Sequence, residues 1–109
     1  ASAQKTADQN TFGSEAEERL AELLREAGLW HRPQHRESRY RLDFFVVSPL
    51  GTRYDLEVDG RQHRQAERLQ YDEVRDKTLH QAGYKVIRIE ASQILGQPDK
   101  VRLLLSRLV

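Results

Sequence analysis

Four residues carry the chemistry legible in this chain: Asp43, Glu57, Asp59 and His63. Tyr40–Val47 and Arg53–Val58 each read as a β-strand, and Ser48-Pro49-Leu50-Gly51 between them reads as a turn. A hairpin folded symmetrically about Leu50 sets Asp43 opposite Glu57. Directly opposed residues of an antiparallel pair share a face, with Cβ atoms roughly 5 Å apart. Two carboxylates that close repel each other, and a divalent cation between them turns the repulsion into a binding site. Glu57-Val58-Asp59-Gly60 closes the strand, and His63 follows near the same end. Arginine clusters supply the complement. Arg32, Arg36, Arg39 and Arg41 stand with His31 and His35 against a single acid, Glu37, and Arg61, His63, Arg64 and Arg68 form a second cluster. Guanidinium groups beside a carboxylate pair suit a phosphate-bearing substrate; a solvated charged surface is the alternative.

The hairpin needs a scaffold. Ser14 followed by Glu17 is a capping-box pattern, so a helix is expected from Ser14, with Leu20, Leu23, Leu24 and Ala27 on its apolar face and Gly28 as its stop. Leu29–Glu37, with Pro33 and many charges, reads as an irregular or edge strand. A second helix is expected over Gln65–Ala82, ended by Gly83. It carries Tyr71, Val74, Thr78 and Ala82 on one side and Leu69, Asp72, Asp76 and Leu79 on the next. Tyr84–Ile89 is a β-branched run, hence a buried strand. Ser92–Leu95 reads as a short helical turn, and Pro98 opens a last helix striped by Val101, Leu104, Leu105 and Leu108. Residues 1–13 are expected to be a flexible tail before one domain over 14–109. The fold class that follows is α/β (α+β mixed), a central mixed sheet flanked by helices.

A chain of 109 residues suffices for one core. No apolar run approaches the ~20 residues of a membrane span, and no signal-peptide pattern is legible. The chain opens Ala1-Ser2-Ala3 without Met, so it is expected to be a piece of a longer protein or a trimmed one. The absence of Cys excludes disulfides and thiolate zinc sites and fits a cytosolic setting. Formal net charge is +1, so any case for nucleic acid rests on local clusters rather than bulk charge.

The stretches Arg41-Leu42-Asp43-Phe44 and Leu56-Glu57-Val58-Asp59-Gly60-Arg61-Gln62-His63, then Tyr71-Asp72-Glu73-Val74-Arg75-Asp76, Leu79 and Gly83-Tyr84-Lys85-Val86-Ile87-Arg88, follow in that order. The set resembles the restriction-endonuclease-like, or PD-(D/E)XK, nuclease superfamily, in particular its very-short-patch-repair (Vsr-like) branch. Members of that branch are small nuclease domains often appended to helicases or other larger proteins. The likeness runs from about Ser14 to Ile89. It implies a core of order α-β-β-β-α-β-α and Mg²⁺- or Mn²⁺-dependent hydrolysis of DNA. It also implies a cytoplasmic, nucleoid-associated setting within a helicase-type or repair protein. Asp43 and Glu57 match the metal-binding acids, and the carbonyl of Val58 can add a further oxygen. Asp59 stands where better-known members place Lys. Glu15, Asp43, His63 and Asp72 fit, in order, the Glu, Asp, His, Asp pattern of Vsr-like and homing nucleases. The structural zinc site of the repair enzyme has no Cys here to form it.

Several residues carry two readings. His63 can pass a proton or cap the second helix. Asp59 can act in catalysis or pair with Arg41 across the hairpin. Asp72 can orient His63 or pair with Arg75, and Asp76 is expected to pair with Arg75 or Lys77. Glu15 suits a helix N-terminus electrostatically, and its catalytic role comes from the resemblance alone. Arg32, Arg36, Arg41, Arg61 and Arg64 are the expected phosphate contacts. His31, His35 and His80 read as surface residues, and Trp30 as core or edge packing. The rival to an endonuclease or nickase is a catalytically inactive DNA-binding or protein-docking module on the same fold.

Overall fold

A computed structural model describes residues 11–60 and 66–109. Its elements are α1 (Thr11–Ala27), β1 (Trp30–Glu37), β2 (Tyr40–Val47), β3 (Arg53–Asp59), α2 (Ala66–Gln81), β4 (Tyr84–Glu90), α3 (Ala91–Gly96) and α4 (Pro98–Ser106). The four strands pair in the order β1-β2-β3-β4. β1–β2 and β2–β3 are antiparallel, while β3–β4 is parallel, with α2 as the crossover. The expected order is met, with the chain's end divided into α3 and α4 at Gln97-Pro98, because proline cannot continue the preceding helix.

Helices cover both faces of the sheet. Leu20, Leu23 and Leu24 of α1 pack with Phe44, Val46, Leu56 and Ile89 from the strands and with Ile94, Val101 and Leu105 from α3 and α4. This is the main core, and it uses the apolar stripes read from α1 and α4. A smaller cluster of Tyr40, Leu42, Leu79 and Tyr84, with Phe45 and Val86 against it, lies under α2. Gly83 ends α2 at φ +95°, a left-handed conformation natural to glycine. There Arg53 donates to the carbonyl of Ala82 and stacks over the Tyr84 ring at 4.4 Å.

The β1–β2 ribbon changes sides midway. Tyr40, Leu42, Phe44 and Val46 alternate along β2 and should share a face. Yet Phe44 and Val46 join the α1 side while Tyr40 and Leu42 join the α2 side. The change falls at Asp43, whose partner position, between the Pro33–Phe44 and His35–Leu42 pairs, is Gln34 with φ +53°. A residue in the left-handed region re-aims the strand around it. The consequence is that Asp43 sits at a bend rather than within a flat ladder.

β1 is the edge strand expected of this stretch, eight residues long despite Pro33, because an edge strand can lose one ladder donor. Two differences from expectation have physical causes. α1 begins at Thr11, so Ser14 lies within the helix and Glu17 is released from a capping role. In α2 the expected stripe faces solvent: Tyr71 is 52% and Val74 55% exposed. The buried positions are Arg75 and Leu79, one helical turn apart: Arg75 lies over the acidic stretch of β3, and Leu79 lies on the cluster of Tyr40, Leu42 and Tyr84. Among the described residues no helix is long and apolar enough to cross a membrane.

Candidate active site

The β2–β3 ladder runs from the Val47–Arg53 pair to the Phe44–Leu56 pair. Carried one step further, this register sets Asp43 opposite Glu57, as the hairpin symmetry requires. Side chains take over there from the backbone ladder. Asp43 N–H donates to Glu57 Oε2 at 3.1 Å, and Val58 N–H donates to Asp43 Oδ2 at 2.8 Å. The two carboxylates therefore converge, each tied to the other strand by one oxygen. Asp43 Oδ1 and Glu57 Oε1 accept no hydrogen bond among the described residues.

Beneath this pair lies Arg75. Its Nη1 donates to Asp55 Oδ2 at 2.9 Å and its Nη2 to Glu57 Oε2 at 2.7 Å, with the carbonyl of Arg41 at 3.3 Å. Asp55 is fully buried, and its Oδ1 has no partner among the described residues. Asp55 and Glu57 are two apart on β3 and so share a face, which α2 covers with Arg75.

One buried and two part-buried carboxyl groups around one guanidinium leave excess negative charge, and their proton affinities respond. Burial, then the charge of Glu57, raises the Asp43 carboxyl to about 6, against the relief given by Val58 N–H, Arg41 and Arg75. Burial, then Asp55, pushes Glu57 up as well, and burial raises Asp55. Glu17 is raised by burial and by Asp43. Carboxyls whose folded-state affinity exceeds the unfolded value stabilise the fold in acid and lose that contribution as pH rises through the folded-state value. Metal-free protein is therefore expected to be less stable at pH 8 than at pH 5, by on the order of 1 kcal/mol from Asp43. Urea unfolding at both pH values in chelator checks this; equal or greater stability at pH 8 would refute it.

All of these but Asp55 line a cleft of about 550 Å³. Glu17 from α1, Asp43 from β2, and Glu57, Val58 and Asp59 from β3 meet there with Tyr71, Asp72 and Arg75 from α2. Arg36, Arg39 and Arg41 of the β1–β2 hairpin rim it, joined by Arg68 and Arg88. Of the expected residues, Asp43, Glu57, Val58, Asp59, Asp72, Arg36 and Arg41 thus come together. Glu15 does not: it is exposed, and two helical residues, about 200°, separate it from Glu17, which occupies the cleft instead. Arg32 also lies outside, stacked over Trp30 at 5.5 Å on the other side of the ribbon's bend. His63, Arg61 and Arg64 lie outside the described residues.

The ion pairs differ in detail from expectation. None joins Arg41 to Asp59 among the described residues, because the backbone ladder has stopped before reaching them. Asp76 pairs chiefly with Arg88, through two bonds of 2.7 and 2.9 Å, with Arg75 at 3.9 Å. Asp72 lies 3.7 Å from both Arg68 and Arg88. His31 Nδ1 lies 2.9 Å from the Leu29 carbonyl, and Trp30 packs edge-on against Phe45 at 5.4 Å.

Among the described residues no three His, Cys, Asp or Glu side chains are gathered to hold a metal by themselves. Two carboxylates, each with an oxygen to spare, match Mg²⁺ or Mn²⁺, since Mg²⁺ keeps several waters and takes one or two protein carboxylates. The donor set therefore fits such an ion.

A search of curated proteins returns no relative for this chain. Among solved structures, the catalytic domain of the homing endonuclease I-Bth0305I is similar. It shares 25% identity and superposes with a TM-score of 0.67, over 85% of this chain and 91% of that one. Residues 17–108 match the sequence profile of the restriction-endonuclease-like family REase_MTES_1575. That span holds Asp43 and Glu57 together with Glu17 and Arg75, and it takes in most of the chain: the protein belongs to the REase_MTES_1575 family.

Proposed function

We propose that this domain is a divalent-metal-dependent endonuclease that hydrolyses phosphodiester bonds in DNA, of the Vsr-like kind. The observation that carries this reading is the convergence of Asp43 and Glu57 in an arginine-rimmed cleft on a restriction-endonuclease-like fold. Asp43 and Glu57 would hold Mg²⁺ or Mn²⁺ through Oδ1 and Oε1, with the Val58 carbonyl as a further candidate oxygen. Such an ion, when bound, supplies charge neutralisation at phosphate and acidifies water.

The chain's own residues do the rest. Arg36, Arg39 and Arg41 grip backbone phosphates on the rim and set the register of the strand. Glu17, half-buried beside Asp43, accepts a proton from the attacking water. His63 is assigned the proton for the leaving oxygen, and Asp59 and Asp72 shape the charge around it. A single cleft of this kind cuts one strand at a time, so the monomer nicks. The natural setting of the domain is a longer, cytoplasmic DNA-processing protein of helicase or repair type.

The test is incubation of the purified domain with supercoiled and single-stranded DNA in Mg²⁺, Mn²⁺ or chelator. Conversion of supercoiled to open-circular DNA with either metal and not with chelator is expected. Glu17→Gln is expected to slow that conversion ~10²-fold and Glu15→Gln to leave it unchanged. Absence of cleavage with both metals at high protein concentration would overturn the proposal.

A further inference from the structure

The proposed chemistry leaves the most deeply buried charges, Asp55 and Arg75, without a part. We propose that Arg75, anchored on Asp55, is a positioning residue. It holds Glu57 by one oxygen and sets how tightly the Asp43–Glu57 pair binds a divalent cation. This rests on the metal-dependent reading of the cleft.

The guanidinium is held through both terminal nitrogens and one face. Nη1 reaches Asp55 Oδ2 at 2.9 Å, while Nη2 reaches Glu57 Oε2 at 2.7 Å and the Arg41 carbonyl at 3.3 Å. The face of the group lies over the Tyr40 ring, 5.7 Å from its centre. These contacts come from both β2 and β3, so Arg75 records the relative position of the two strands that carry the cleft carboxylates. A lysine, with a compact charge on a flexible stem, cannot bridge two carboxylates in a fixed plane as the guanidinium fork does.

Glu57 Oε2 is then fully engaged, by Arg75 and by Asp43 N–H at 3.1 Å. Only Oε1 remains for the cleft. The same holds for Asp43, whose Oδ2 is engaged by Val58 N–H. Each acid is restricted to one ligating oxygen, which suits a small octahedral ion that retains its waters better than a larger ion that takes carboxylates through both oxygens.

Charge adds a second effect. Arg75 is a resident cation on Glu57, so an entering divalent ion is repelled by it and competes with it. Asp55 draws Arg75 toward itself and adds negative charge behind the site. Arg75 and Asp55 therefore push cation affinity in opposite directions. A purely structural pair would be an odd choice at this place, because buried ion pairs gain little over apolar packing. Here Asp55 Oδ1 even lacks a partner among the described residues.

The experiment titrates the purified chain with Mn²⁺, reading free Mn²⁺ by electron paramagnetic resonance, with circular dichroism as the check on folding. Asp55→Asn is expected to weaken Mn²⁺ binding ~10-fold, and Arg75→Gln, which keeps much of the volume and loses the charge, to tighten it ~10-fold. Arg75→Lys keeps the charge, so affinity stays within ~3-fold while the rate of nicking of supercoiled plasmid at saturating Mn²⁺ falls ~10-fold. Opposite shifts in the first two variants support the inference, since damage to the fold would weaken both. Shifts of the same sign, or none beyond ~2-fold, overturn it. If Arg75→Gln does not fold, Asp55→Asn decides alone: unchanged affinity in that variant overturns the inference. Wild-type protein that binds no Mn²⁺ overturns the metal reading together with it, whereas wild-type binding without opposite shifts overturns the inference only.

Discussion

Asp43→Asn is expected to lower the rate of DNA nicking by at least ~10³-fold, a loss of about 4 kcal/mol of transition-state stabilisation, while DNA affinity changes less than ~3-fold. Asn is the informative choice because its side-chain oxygen can still accept the Val58 N–H bond that Asp43 makes at 2.8 Å. The change then removes one charge and little else. Affinity measured in chelator should survive because the phosphate grip lies with Arg36, Arg39 and Arg41 on the rim, and with no metal bound the loss of a negative charge cannot weaken an attraction to phosphate. Stability in chelator should hold or rise at pH 8, since the Asp43 carboxyl, raised to about 6 mainly by burial, is ionised there at a cost to the fold. Gel-shift and plasmid-nicking assays on the same preparation measure the two quantities. Full nicking activity in Asp43→Asn would remove that residue from the metal site. Loss of binding in step with loss of cleavage would favour a DNA-binding module whose surface was damaged.

The hairpin was readable because a turn with few options separated two strands of clear alternation. Once Leu50 is the centre, register follows by counting, and Asp43 meets Glu57. The helices were readable from their apolar stripes where the partner was apolar, as for Leu20, Leu23 and Leu24 of α1 or Val101 and Leu105 of α4. The same rule failed for α2, whose partner surface is charged. There the deeply buried residue is Arg75, and Tyr71 and Val74 face water. A signal for this did exist: Arg53, Asp55 and Glu57 alternate along a strand that the topology makes central, so that face needed a counter-charge from whatever packed on it. Glu17 was hidden by a local motif. Ser14 and Glu17 spell a capping box, but the helix starts at Thr11, and the acid offered to the cap is instead the one in the cleft. The bend at Gln34 and Asp43 left no trace in the sequence, since Gln is an uncommon residue for a left-handed conformation.

Arg75→Ala is expected to destabilise the fold by about 3–5 kcal/mol, because it strands the Asp55 carboxylate, fully buried and with one oxygen already unpartnered. For a domain of this size that is a fall in melting temperature of at least ~12 °C. Two contributions must be separated. One is lost packing over Tyr40, of order 1–2 kcal/mol, which any truncation of a long buried side chain brings. The other is the uncompensated charge, which is larger and can be removed a second way. In the double variant Asp55→Asn, Arg75→Ala the fully buried charge is gone, and Glu57, which also loses Arg75, is part-exposed to the cleft and keeps the Asp43 N–H bond, so stability should return to within about 2 kcal/mol of wild type. The charge contribution also depends on pH. Without Arg75 the Asp55 carboxyl, already raised by burial, rises further, and it is neutral in the fold at low pH. The single variant should therefore be closest to wild type near pH 5 and lose ground as pH climbs toward 8. Urea unfolding of the wild type, both single variants and the double variant at those two pH values closes the cycle. A single variant that costs less than 1 kcal/mol, or a double variant no more stable than Arg75→Ala, would show that Arg75 packs against the strand without neutralising it.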